Sequence, residues 1–129
     1  MTTQPITPSE RASLRALAAA AHARELGREL ARLDSAFGAW RAGRVTPHEL
    51  AERIGKFHEG VARELAGIYA RLDPTATVAR AIALGFLATA EVPPALLAKL
   101  GPAVDLYRVV PRADAETDAD ADADASAAG

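Results

Sequence analysis

Residues 36–72 read AFGAWRAGRVTPHELAERIGKFHEGVARELAGIYARL, and the middle of that stretch is written in helix-capping chemistry. Thr46 can accept a hydrogen bond from the backbone N–H of Glu49 while the Glu49 side chain reaches back to the N–H of Thr46. Pro47 takes the first helical position, where a missing N–H costs nothing. Just before it, Gly43 follows Trp40, Arg41 and Ala42 and can adopt the left-handed conformation that closes a helix. The stretch predicts the end of one helix, a tight turn, and a second long helix folded back on the first.

The flanks agree. Backward from the turn, Trp40, Phe37, Leu33, Leu30 and Leu26 recur at spacings of three and four, and Ala23, Ala19, Ala16 and Ala12 continue the row. Forward from it, Leu50, Ile54, Phe57, Val61, Leu65, Ile68 and Leu72 do the same. Both are single apolar stripes of helical period. Folded antiparallel, they place Phe37 near Leu50 and Ile54, Leu33 near Phe57, and Leu30 near Val61. Each large side chain so buried contributes roughly 1.5–3 kcal/mol against the entropy of ordering two long helices. Over about a dozen residues (Trp40, Gly43-Arg44-Val45-Thr46, Glu49-Leu50) the turn resembles short bacterial helical-hairpin oligomerisation modules, a generic likeness that defines no family.

A second Thr-Pro-x-Glu, Thr7-Pro8-Ser9-Glu10, marks the start of the first helix, expected from about Pro8 to Ala42. Gly27 and Gly38 weaken it, and its alanine-rich first third should fray. Asp73-Pro74 stops the second helix and caps a third, expected over Pro74–Ala90, whose only charge between Val78 and Ala90 is Arg80. A helix apolar nearly all round must be covered on more than one side, so it is a core helix. Val78, Ile82 and Phe86 should face the hairpin, leaving Arg80, Leu84, Leu87 and Glu91 as an outer strip with an apolar middle and charged ends. Pro93-Pro94 opens a short fourth helix with Leu96, Leu97 and Leu100, ended by Gly101-Pro102. Val104 to Val110 then form a last turn and an extended strip. The fold class is an all-α small helical bundle on a long antiparallel hairpin, with residues 1–7 a disordered N-terminus, 8–110 the bundle and 111–129 a disordered acidic tail.

Composition narrows the function. The 129 residues include no cysteine, which excludes disulfides and the usual cysteine-containing zinc sites. All 15 Lys and Arg fall within residues 1–112 against 11 acids, a balance of +4, and the remaining six acids give the tail −6. Arg11 and Arg15 precede a short uncharged run, Ala16–Ala21, too weak for a signal peptide, and the expected setting is the cytoplasm without a membrane.

Candidate sites are sparse. His48 with Glu52, and His22 with Glu25 and Glu29, share helix faces but lack the Glu-x-x-His pairs of a di-metal bundle, so no metal or cofactor is expected. Phe57, His58, Glu59 and Gly60 form a candidate ligand pocket, with no nucleophile or phosphate loop to complete it. Gly60 and Gly67 would otherwise let the third helix approach closely. Arg24, Arg28 and Arg32 form a row that fits a polyanion, or a solvated face paired with Glu25 and Glu29. Trp40 plugs the open end of the hairpin or joins Leu84 and Leu87 as a candidate interface. The reading is a non-catalytic, bacterial-type interaction or accessory protein working through protein–protein contacts, as a homodimer through Leu84 and Leu87. The alternatives are a nucleic-acid-binding regulator using the arginine row and, behind it, a small enzyme or metal protein centred on His58.

Overall fold

A computed structural model describes residues 5–109, and these are all-α, with no strand among them. Helix α1 (Pro8–Arg41) is 34 residues long, about 50 Å. Its capping box is complete: the Thr7 N–H donates to Glu10 Oε1 (2.9 Å) and the Glu10 N–H to Thr7 Oγ1 (3.1 Å). Gly43 turns the chain with φ +78°, and the Arg44 N–H returns to the Ala39 carbonyl. At the second start the box is half made. The Glu49 N–H donates to Thr46 Oγ1, but the Glu49 carboxylate takes the Thr46 hydroxyl instead of its N–H.

The returning arm is helix α2 (Pro47–Lys56), a π turn (Phe57–Val61) and helix α3 (Ala62–Arg71), in unbroken succession. Helix α4 (Pro74–Leu84) follows, capped by Asp73 through the Thr75 N–H (3.0 Å). It stops six residues before the expected end, Ala90. Gly85, at φ +87°, takes the left-handed cap position, and the Phe86 N–H closes back to the Ala81 carbonyl. A 3₁₀ turn (Thr89–Glu91) leads to helix α5 (Pro94–Val109), which runs straight through Gly101 and Pro102, where a stop was expected. Pro102 removes one helical hydrogen bond. Leu96, Leu100 and Val104, four apart on either side of it, are all buried, and that burial outweighs the lost bond.

The main core is not at the hairpin turn. Leu14 and Ala21 of α1 meet Val78, Ala79, Ala81 and Ile82 of α4, the connecting Leu87 and Val92, and Leu96, Leu100 and Val104 of α5. The first third of α1, expected to fray, is thus a wall of the core. Pro5 and Ile6, expected to be disordered, are placed: Lys99 Nζ donates to the Pro5 carbonyl and Ile6 packs on the core. The expected disorder of residues 1–4 and of the acidic tail lies outside the described residues. At the turn, only Ala36, Val45 and Leu50 are fully buried together, with Phe37 and Ala39 against them.

Candidate functional site

Two neighbouring stripes run along α1, and the one that faces the core is not the most apolar. Ala21, Glu25, Glu29 and Ala36 are buried, while Leu30 remains 47 % exposed and Trp40 39 % exposed. Ala12, Ala16, Ala19 and Ala23, which continue the leucine row, are exposed as well. Ile54 on the opposite arm is 40 % exposed. The inward face lies about a quarter turn round α1 from the leucine row and further still from the alanines, and it carries two glutamates inward.

Glu25, 3 % exposed, is met from two helices. Arg80 of α4 grips it with both guanidinium nitrogens (Nη1–Oε1 2.9 Å, Nη2–Oε2 3.1 Å), and the Tyr69 hydroxyl of α3 donates to Oε1 (3.0 Å). A two-pronged pair of this kind, with a further hydrogen bond on the carboxylate, offsets the hydration both ions lose. Tyr69 also stacks face to face on His22, ring centroids 4.5 Å apart. Burial first, and then the adjoining Glu25 charge, push the Tyr69 phenol above its ordinary range. Every buried side-chain nitrogen and oxygen among the described residues has a hydrogen-bond partner.

The π turn aims Tyr69. In it the Ala62 N–H reaches back five residues to the Phe57 carbonyl. The extra residue rotates everything beyond it by about 100° relative to an uninterrupted α-helix. Of the expected stripe, Leu65 is buried and Ile68 half-buried while Leu72, past the end of α3, is exposed, and Tyr69 faces α1. The turn coincides with the unusual string Phe57-His58-Glu59-Gly60.

That string borders two open hollows. His58 and Glu59 are exposed, and the hollows beside them are open depressions on a single helix. One, about 450 Å³, is bounded by Gly55, Lys56, Glu59, Gly60, Val61 and Glu64, and the other, about 510 Å³, by His58, Glu59, Ala62, Arg63 and Ala66. Helix α4 is not what a side chain at the glycines would meet first: a Cβ at Gly60 would meet nothing within 4 Å, and the nearest atoms to one at Gly67 belong to the Arg71 guanidinium. His48 and Glu52 are exposed, and among the described residues no three His, Asp or Glu side chains converge as a metal requires.

The arginine row is engaged within the chain. Arg24 pairs with both oxygens of Glu91 (2.8 and 2.6 Å) and donates to the Phe86 carbonyl (2.8 Å). Glu91 also accepts from the Ala88 N–H. The Arg24 hydrogen bonds and that N–H hold the Glu91 carboxyl down to about 2, and Glu91 in turn raises Arg24. Arg28 and Arg32 both reach Glu29, 9 % exposed, at 3.2 and 3.1 Å, and Arg28 lies over the Phe86 ring (4.8 Å). Through Arg24 and Arg28 the row therefore fastens α1 to the segment after α4.

The outer strip expected on the third helix is dispersed. With α4 ended at Gly85, Leu87 swings into the core at 2 % exposure, Leu84 is half-buried, Arg80 points inward to Glu25, and Glu91 pairs with Arg24. What the sequence reading missed, the Glu25–Arg80–Tyr69 cluster, had one visible signal. A lone arginine in an otherwise apolar helix is rarely buried without an acid partner, and Arg80 was that arginine.

Compared with protein-family models, with curated proteins and with solved structures, the chain matches none.

Proposed function

We propose that the protein is a non-catalytic helical interaction protein whose working surface is the exposed apolar flank of the hairpin. The observation that supports this is the inversion along α1: glutamates are held inside while Leu30 and Trp40, with Ile54 opposite, stand open. Large apolar side chains left uncovered beside buried glutamates that are paired within the chain favour a protein partner over water. The nucleic-acid alternative is weaker, because Arg24, Arg28 and Arg32 are each paired with a carboxylate of their own chain. No helix among the described residues is long and apolar enough to cross a membrane. The cytoplasm remains the proposed setting on the sequence argument alone.

Photo-crosslinking in the cell of origin tests the reading. A photoreactive residue at Leu30 or Ile54 is expected to trap a protein, either a second copy or another chain, whereas one at the exposed Ala95 of α5 is expected to trap little. No adduct at Leu30 or Ile54 sinks the interaction role.

A further inference from the structure

The uncovered stripe of α1 is more regular than an ordinary exposed patch. Ala12, Ala16, Ala19, Ala23, Leu26, Leu30, Leu33, Phe37 and Trp40 alternate spacings of four and three without interruption, the 3.5-residue period of a coiled-coil seam. None of the nine is fully buried, and six of them are exposed. Its composition is also graded. The end nearest the N-terminus is alanine, the centre leucine, and the end nearest the turn carries Phe37 and Trp40.

We infer that this stripe pairs with its own copy in an antiparallel dimer about a two-fold axis beside Leu26, which rests on the interaction role proposed above. Antiparallel pairing about that point sets Trp40 against the partner copy's Ala12 position, Phe37 against Ala16, Leu33 against Ala19 and Leu30 against Ala23. Each bulky residue meets a small one at four successive levels, and an isologous contact repeats the match on both sides. Parallel pairing would stack Trp40 on Trp40 and alanine on alanine, leaving a bulge at one end and a gap at the other.

Gly27 gives an independent reason. It costs α1 about 1 kcal/mol relative to alanine. No other element among the described residues approaches it, since a Cβ there would meet no atom of them within 4 Å. Beside the axis it would face its own copy, where two backbones come closest. The seam from Ala12 to Trp40 is about 42 Å long and a helix about 10–12 Å across. The face therefore offers about 400–500 Å² per partner, a small interface beside the roughly 800 Å² of a standard one. Residues 110–129 fit the stripe poorly, for they alternate acids with alanine and carry no large apolar residue besides Val110.

The native chain has no cysteine, so single thiols report the geometry directly. Light scattering on the full chain at high micromolar concentration is expected to give twice the monomer mass. The emission of Trp40, the one tryptophan, is expected to move to the blue as concentration rises. Ala23→Glu, at an exposed position that the monomer does not use, is expected to keep the helical content and weaken the dimer at least about tenfold. With a short thiol crosslinker, Gly27→Cys joins to itself rapidly. Ala12→Cys, whose two copies stand about 42 Å apart in this arrangement, does not. A monomeric wild type, an unweakened Ala23→Glu, or equally fast joining through Ala12→Cys overturns the inference. A monomeric wild type whose Leu30 still traps another protein removes the self-pairing and leaves the interaction role standing.

Discussion

The two ends of α1 solve opposite problems. Near its N-terminus, Leu14, Leu17, Ala18 and Ala21 lie against a core built with α4 and α5, and eleven residues are buried there together. Near the turn, α1 has one arm for company, three residues are fully buried together, and Leu30, Trp40 and Ile54 remain open. Between the two regions stand Glu25 and Glu29, anchored by arginines from α4 and from α1 itself. The contrast teaches that the apolar residues of one helix need not all serve one core. Here the closed end depends on tertiary contacts, and the open end leaves apolar surface for something else.

The largest expected effect lies at the junction. Arg80→Met strands a buried carboxylate at Glu25 and is expected to destabilise the fold by about 3–5 kcal/mol. The double substitution Glu25→Leu with Arg80→Met removes both charges, and its cost is expected to be far smaller. Denaturant melts of the three proteins check this, and equal costs for single and double would show that the pair is not the junction. Next come the two ends themselves. Leu100→Ala in the closed core is expected to cost about 2–5 kcal/mol of global stability. Leu50→Ala at the turn is expected to act locally. Amide exchange in that variant speeds up over α2 and the end of α1 while α4 and α5 stay protected. Uniform loss of protection would erase the distinction between the two regions.

The smallest effect is the pH response of the clasp between Arg24 and Glu91. The Glu91 carboxyl is held to about 2, below its unfolded value. Its contribution is therefore complete above the ordinary carboxylate range and is lost as pH falls from there toward 2. Glu10, lowered by Lys99 and by the Thr7 N–H, titrates in the same sense. Acid melts of Glu91→Gln are expected to show a shallower decline over that window than the wild type. Identical slopes would mean that the clasp does not contribute.

Much of the secondary structure was legible. Both Thr-Pro starts, the Asp73 cap and the Gly43 turn are local chemistry, satisfied within four residues of chain. The end of α4 was legible too, for Gly85 is a good left-handed cap, but the apolar run beyond it looked like more helix. Gly101-Pro102 misled in the other direction: the local preference to stop is real, and the burial of Leu100 and Val104 overrides it.

The sequence by itself determined the helices, where most of them begin, and the presence of two apolar stripes flanking a turn. Those follow from capping and periodicity, which act over neighbouring residues. Only the tertiary structure decided which face of α1 turns inward. The energies of the two choices differ through partners far along the chain: Arg80 lies 55 residues from Glu25 and Tyr69 lies 44. A buried carboxylate is unfavourable until those two arrive, and favourable packing of the leucine stripe is forgone once they do. The π turn belongs to the same decision, because its one extra residue takes effect through where it sends Tyr69.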